Sequence, residues 1–194
     1  EGRTKIAEFA FGDLKKEERE KACEEKNGTR MTFSPDDSVF RNFRYNMEYV
    51  ELMLWNYAYL NAGLSLYLNG KKFFSKDGLL DLLQRKAPSD SIRYPIVHLK
   101  GDDIELAFTH GEQYGEEHYS FVNGQYTTQG GTHLASFREA LVRTIREFYK
   151  KDFDASDVRG SIIGAISLRV QEPVFESQTK TKLGSQHMSP GGIA

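Results

Sequence analysis

The apolar positions change period several times along the chain, and each change marks an element. Ile6, Ala7, Phe9, Ala10 and Phe11 crowd into residues 4–11 and predict a short strand, after which residues 13–26 are almost wholly charged. That run sets five Lys or Arg against six Asp or Glu, the pattern of a solvated helix or a mobile loop. Asn27-Gly28 reads as a turn, and Thr29 to Phe33 alternates into a strand that Pro35 must end. Met47, Val50, Leu54, Tyr57 and Ala58 recur at three- and four-residue steps, predicting a helix that stops at Gly63. Leu64, Leu66 and Leu68 alternate up to Asn69-Gly70, and residues 71–74 return as the second strand of a hairpin. A short helix over 77–86 is followed by strands over 95–100, 104–108 and 119–122, the last turning at Asn123-Gly124. Phe137, Leu141, Thr144, Ile145 and Phe148 share one face of a helix running to about Lys150, and 161–170 is a long apolar strand.

Strands interleaved with two or three helices, without regular alternation, indicate an α+β fold with a largely antiparallel sheet. A seam between units is expected near Arg44. Residues 183–194 are polar and glycine-rich and are expected to be poorly ordered.

Composition narrows the class. At 194 residues, 39% hydrophobic, the chain has room for one domain plus a piece of another and enough apolar material for a core. No apolar stretch approaches the roughly 18 residues of a spanning helix, and no charged-then-apolar leader opens the chain, so a soluble, unsecreted protein without a membrane partner is expected. The single cysteine, Cys23, excludes an internal disulfide framework and any cysteine-rich zinc site. A formal charge of -2 argues against general polyanion binding, so phosphate recognition must be local. The chain opens at Glu1 in mid-pattern and reads as an excised piece.

Several clusters invite chemistry. His110 and His118 lie near Glu112, Glu116 and Glu117, but the spacing matches no common zinc pattern and such an acidic loop is usually just solvated; no metal site is expected. Gly130-Gly131-Thr132-His133 precedes a helix, where amides and the helix dipole suit an anion, or where the glycines simply supply the angles of a sharp turn. The helix that follows carries Arg138, Arg143, Arg146, Lys150 and Lys151 against Glu139 and Glu147, a net +3 that permits a face for nucleic-acid phosphates. Ser177-Gln178-Thr179-Lys180-Thr181-Lys182 is a compact polar loop in which a lysine, flanked by hydroxyl and amide groups, suits a phosphate; the alternative is an ordinary surface loop. No nucleophile and base pair and no GxxxxGK[ST] loop occurs, so no catalytic residue is assigned.

Taken together, these segments resemble the B subunits of the bacterial type IIA DNA topoisomerases, gyrase and topoisomerase IV. Gly28-Thr29-Arg30-Met31-Thr32-Phe33 with Pro35-Asp36 and Phe40 is similar to the family's GT-x-x-x-F-x-PD-x-x-x-F segment, and Tyr59 to Leu64 to its FLNKGL. Gly130-Gly131-Thr132-His133 with Phe137-Arg138 resembles GGTH-x-x-GF-R, and residues 173–183 (PVFESQTKTKL) resemble P-x-F-x-SQTK-x-KL. Gln129, where the gyrase pattern has an acid, and Arg159-Gly160-Ser161, in place of REG, depart from it. The resemblance implies that residues 1–43 are the last strands of a GHKL-type ATPase domain and that 44–194 form a transducer domain. That transducer would have a ribosomal protein S-five domain 2-like fold, a mixed sheet with a left-handed β-α-β crossover. It further implies that Lys180 and Gln178 reach the γ-phosphate of ATP, that Thr29 lies at the adenine end of the pocket, and that Arg138 faces transported DNA. ATP and Mg²⁺ would serve the full-length protein, none being expected on the fragment, because the ExxxN and DxGxG motifs of GHKL ATPases are absent from the sequence. The implied partners are DNA, the topoisomerase A subunit and a second copy of the B subunit, in the cytoplasm. Gyrase and topoisomerase IV are not distinguished. A non-enzymatic nucleic-acid-binding module of the same fold is the competing class, and a small-molecule kinase would need a glycine-rich phosphate loop that the chain lacks.

Overall fold

Charge alternation shapes the first stretch of chain. In the computed structural model, which describes residues 2–189, β1 (Arg3–Thr4) pairs antiparallel with β4 (Lys21–Ala22), and β2 (Ala7–Ala10) with β3 (Asp13–Glu17). The stretch 13–26, expected as a helix or loop, holds no helix and half of it is strand. The reason is cross-strand charge pairing: Glu8 stands opposite Lys16, and Lys5–Glu17 at 2.7 Å, Lys16–Glu18 at 2.9 Å and Lys21–Glu18 at 2.8 Å tie the ribbons. Each such exposed pair is worth at most a few tenths of a kcal/mol to about 1 kcal/mol, but no apolar face is needed to set the register. The expected strand at 29–33 does not form. β1 to β4 pair among themselves, and Met31 and Phe33, outside any helix or strand, stand 86% and 73% exposed.

Packing divides the chain into Glu1–Asn46 and Met47–Ala194. The second unit opens with α1 (Met47–Leu60), then the hairpin β5 (Ser65–Leu68) and β6 (Lys71–Phe74), whose Asn69-Gly70 turn has the two positive φ angles of a primed turn. α2 (Leu79–Lys86) follows. Its Gly78 N-cap offers no side chain, and the Leu79 amide instead donates to Glu105 Oε1 at 2.8 Å. The remaining strands, β7 (Val97–Lys100), β8 (Ile104–His110), β9 (Glu117–Val122), β10 (Gln125–Tyr126) and β11 (Ile162–Leu168), form one sheet in the order β10-β9-β11-β8-β7.

Three pairings are antiparallel, but β9 and β11 run parallel at the centre, so the sheet is mixed. The chain between them passes through α3 (Thr132–Tyr149) and α4 (Ala155–Arg159), and a helical connection of that length returns the strand in the same direction. β11 is buried on both faces, which is why it reads as an apolar run without alternation. Ile163 and Ala165 pack with Ala107, Phe121 and the α2 residues Leu79, Leu82 and Leu83. Ile162 and Ile166 pack with Phe137 and Leu141 of α3.

The tail expected to be poorly ordered is anchored. Leu183 is fully buried with Val122 and Val170, and the Gly184 amide donates to Val174 O at 2.8 Å. Polarity around one leucine concealed a docked segment; residues 190–194 of that expectation lie outside the described residues.

Candidate functional site

The segment carrying Lys180 is a closed loop. Phe175 and Leu183 pair antiparallel at its base, the Glu176 amide donates to Lys182 O at 3.0 Å, and the Lys180 amide donates to Ser177 O at 3.0 Å across the tip. Lys180 takes the left-handed conformation (φ 55°), and the Ser177 and Thr179 hydroxyls lie 2.7 Å apart. Gln178 and Lys180 are exposed on this one tip, and Lys180 forms no ion pair among the described residues, whereas Lys182 is held by Glu176 at 2.9 Å.

The loop is seated on the glycine pair. Gln129 N donates to Thr181 O at 2.9 Å, Leu183 N to Gly130 O at 3.1 Å and Thr132 N to Leu183 O at 3.1 Å, while Thr132 Oγ1 donates to Ser185 O at 2.6 Å. A Cβ on Gly131 would lie 2.4 Å from Leu183 O and 2.5 Å from Leu183 N, so only glycine admits this approach. Gly130-Gly131 thus docks a neighbouring chain segment, and the Thr132 amide that an anion would use is already taken. Because the backbone of Gln129 makes its contact, the amide side chain standing in place of an acid does not affect it. Next along α3, His133 is buried, with Nε2 3.3 Å from Thr127 Oγ1 and no partner for Nδ1 among the described residues. Burial lowers its pKa to about 4, which keeps the ring neutral.

Arg138, one helix turn on, belongs to a separate cluster. Its Nη2 donates to Glu116 Oε1 at 2.6 Å; Arg159 Nε reaches the same oxygen at 3.1 Å, and His118 Nε2 lies 2.9 Å from Glu116 Oε2. Burial would raise the Glu116 carboxyl, but the hydrogen bonds from Arg138, His118 and Arg159 outweigh it and bring the pKa down to about 2. An acidic loop expected to be solvated therefore contributes one firmly bound carboxylate. Beside it, a groove of about 500 Å³ between α3 and α4 is lined by Arg138, Arg143, Arg146 and Arg159 with Glu139 and Glu147. Arg146 is spoken for, its Nε and Nη2 donating to Phe153 O at 2.8 and 2.6 Å. Thr29 lies in the first unit, exposed and outside any helix or strand. Among the described residues no group of three His, Cys, Asp or Glu side chains is placed to hold a metal ion, and no helix is long and apolar enough to cross a membrane.

Residues 65–191 match the family model described as DNA gyrase B, a span that contains Arg138, Gln178 and Lys180 but not Thr29. The chain belongs to the DNA gyrase B family. It is 41% identical over 184 residues to the DNA topoisomerase 4 B subunit of Borreliella burgdorferi, covering 95% of this chain and 31% of that protein. To the DNA gyrase B subunit of Cytophaga aurantiaca it is 32% identical over 213 residues, covering 95% and 44%. Its fold matches the 43K ATPase domain of Thermus thermophilus gyrase B, solved with an aminocoumarin, at a TM-score of 0.76 and 26% identity, over 95% of this chain and 56% of that one. The chain spans about a third to under half the length of these curated relatives.

Within this gyrase B family chain, sequence reasoning singled out Arg138 but missed its partners. Glu116 lies 22 residues before Arg138 and Arg159 lies 43 residues after Glu116, so no local spacing joins them. The signal available was Arg159, which keeps the arginine of the family's REG while Gly160 and Ser161 depart from it, but without a register it pointed nowhere.

Proposed function

We propose that residues 44–194 are the transducer of the B subunit of an ATP-dependent type II DNA topoisomerase, with residues 1–43 the closing strands of its ATPase domain. In this reading the crossover from β9 through α3 to β11 is left-handed. Lys180 and Gln178 contact the γ-phosphate of ATP, Thr29 lines the adenine end of the pocket, and Arg138 faces transported DNA. The general base and Mg²⁺ ligands come from elsewhere in the full-length protein, so this chain alone does not turn over ATP. Its partners are the A subunit, DNA and a second copy of the full-length protein, in the cytoplasm.

One observation carries the reading: a lysine with no ion pair among the described residues and an exposed glutamine share a loop tip whose base is bonded to the first turn of α3. An ammonium there gains a charge-assisted contact when phosphate is present and loses it when phosphate leaves. At about 1.5 to 3 kcal/mol for that bond and about 1 kcal/mol for a neutral donor, the pair biases a hinge by about 10² to 10³. A full reversal of a two-state hinge needs about 5.5 kcal/mol, so other contacts must contribute. The test is Lys180→Ala in the full-length protein together with the A subunit. Strand passage per ATP hydrolysed should fall at least tenfold; wild-type ATP turnover together with wild-type strand passage would refute the sensor role.

A further inference from the structure

The loop that carries Lys180 holds a second lysine two residues on, and only one of the two is tied. Lys182 Nζ lies 2.9 Å from Glu176 Oε1, whereas Lys180 forms no ion pair among the described residues. Glu176 and Lys182 face each other across the loop: Phe175 pairs antiparallel with Leu183 at the base, and one step above it the Glu176 amide donates to Lys182 O at 3.0 Å. Opposite charges at such a pair attract and neutralise each other. The backbone on either side of Lys182 is fixed as well, Thr181 O accepting from the Gln129 amide and the Leu183 amide donating to Gly130 O. Its ammonium is thus restrained by Glu176 alone, at the end of a flexible four-carbon stem. The Cα atoms of Lys180 and Lys182 stand at most about 7 Å apart, two residues of extended chain, so a released Lys182 reaches the tip.

We propose that Glu176 is a specificity-determining residue of this loop: by holding Lys182 it leaves Lys180 as the single free ammonium, so that the loop answers to a terminal phosphate at one position and not to phosphate charge in general. This rests on the reading that Lys180 contacts the γ-phosphate of ATP, and it adds the residue that keeps ADP from drawing the same response. With one ammonium at the tip, a nucleotide without a γ-phosphate finds no partner there. With two, the reach of Lys182 gives the β-phosphate of ADP a charge-assisted contact of its own. ATP gains less, because the second ammonium must share a phosphate with the first and is repelled by it. The difference between the two nucleotides therefore narrows, and Glu176 preserves it by withholding a contact from the wrong ligand. Glu176 and Lys182 are 53% and 42% exposed, so the pair acts through charge and its loss costs the fold little.

The experiment measures ADP and a non-hydrolysable ATP analogue by equilibrium competition against a labelled nucleotide on the full-length protein, at low and high potassium chloride. Glu176→Gln should tighten ADP by up to about fivefold, the worth of one exposed ionic contact, and lower the ratio of analogue to ADP affinity. The gain should shrink at high salt, as a screened charge requires. Lys182→Ala alone should leave the ratio at its wild-type value, because that ammonium is already held; added to Glu176→Gln it should cancel the change. Exchanging the charges, Glu176→Lys with Lys182→Glu, should restore the ratio. If Lys180→Ala lowers the ratio but Glu176→Gln does not, Glu176 has no part in discrimination and the phosphate-sensing reading stands. If Lys180→Ala leaves the ratio unchanged, both fall. A ratio lowered by Glu176→Gln that Lys182→Ala fails to restore would make Glu176 a structural tie of the loop and overturn the proposal.

Discussion

Gly131→Ala tests how firmly the Lys180 loop is seated. Gly131 sits at φ 134° and ψ -164°, a region that costs an L-residue about 1 to 3 kcal/mol. The new methyl would meet Leu183 O at 2.4 Å, Leu183 N at 2.5 Å and Leu183 Cα at 2.8 Å, all backbone, so no side-chain rotation relieves it. The two segments must separate by about 1 Å to reach ordinary van der Waals contact. That separation breaks Thr132 N to Leu183 O and Leu183 N to Gly130 O, at about 1 kcal/mol each, and withdraws a fully buried leucine, at about 1.5 to 3 kcal/mol. Undocking relieves the strain, so the loss of seating is about 3.5 to 5 kcal/mol, and the Leu183 and Thr132 amides should exchange hydrogen about 10² to 10⁴ times faster. Hydrogen exchange read by mass spectrometry on peptides covering 130–134 and 176–186 measures this directly. Unchanged protection at both amides in a folded Gly131→Ala protein would refute the docking energetics.

Two further outcomes follow from buried polar groups. His133 titrates near 4 when folded and near 6.5 when unfolded, so below 6.5 the unfolded chain binds the proton the folded one refuses. Stability should fall by up to about 3 kcal/mol as pH drops from 6.5 to 4 and stay flat above, and urea unfolding of His133→Gln should lack that slope. Glu105, whose Oε1 accepts the Leu79 amide and lies 2.9 Å from His98 Nε2, substitutes for the missing cap of α2. Glu105→Ala should cost about 1 to 2 kcal/mol in urea unfolding and Glu105→Gln much less; equal losses would mean that capping is not its role.

What the sequence shows and what it hides divides by contact distance along the chain. The β5–β6 hairpin was readable because Asn69-Gly70 dictates a primed turn, and α3 because the four apolar residues Phe137, Leu141, Ile145 and Phe148 recur at helical spacing within one helix. The parallel pairing of β9 with β11 was not, since alternation within a strand says nothing of its neighbour's direction. Residues 13–26 misled for a related reason: a charge run looks the same on a helix and on a two-stranded ribbon until the opposing strand supplies the counter-charges. Gly130-Gly131 supported both an anion and a turn, and only Leu183, 52 residues away, decides between docking a chain segment and docking an ion. The loop itself was legible as a compact polar segment carrying an exposed lysine, but its seat was not.

Seat and tip must be weighed against each other if the loop is to transmit anything. In the proposed reading, a γ-phosphate pulls on Lys180 and Gln178 with about 2.5 to 4 kcal/mol. The seat at Gly130, Gly131 and Thr132 resists with at least two backbone bonds and the burial of Leu183, about 3.5 to 5 kcal/mol, before Gln129 and the Thr132 hydroxyl add theirs. A weaker seat would let the tip peel toward the nucleotide and leave α3 where it was. A stronger seat lets the tip move only together with the N-terminal turn of α3, the helix whose next turn carries Arg138. In that reading the seat outlasts the pull, and Gly131, which admits no methyl group, keeps the two segments close enough for the seat to hold.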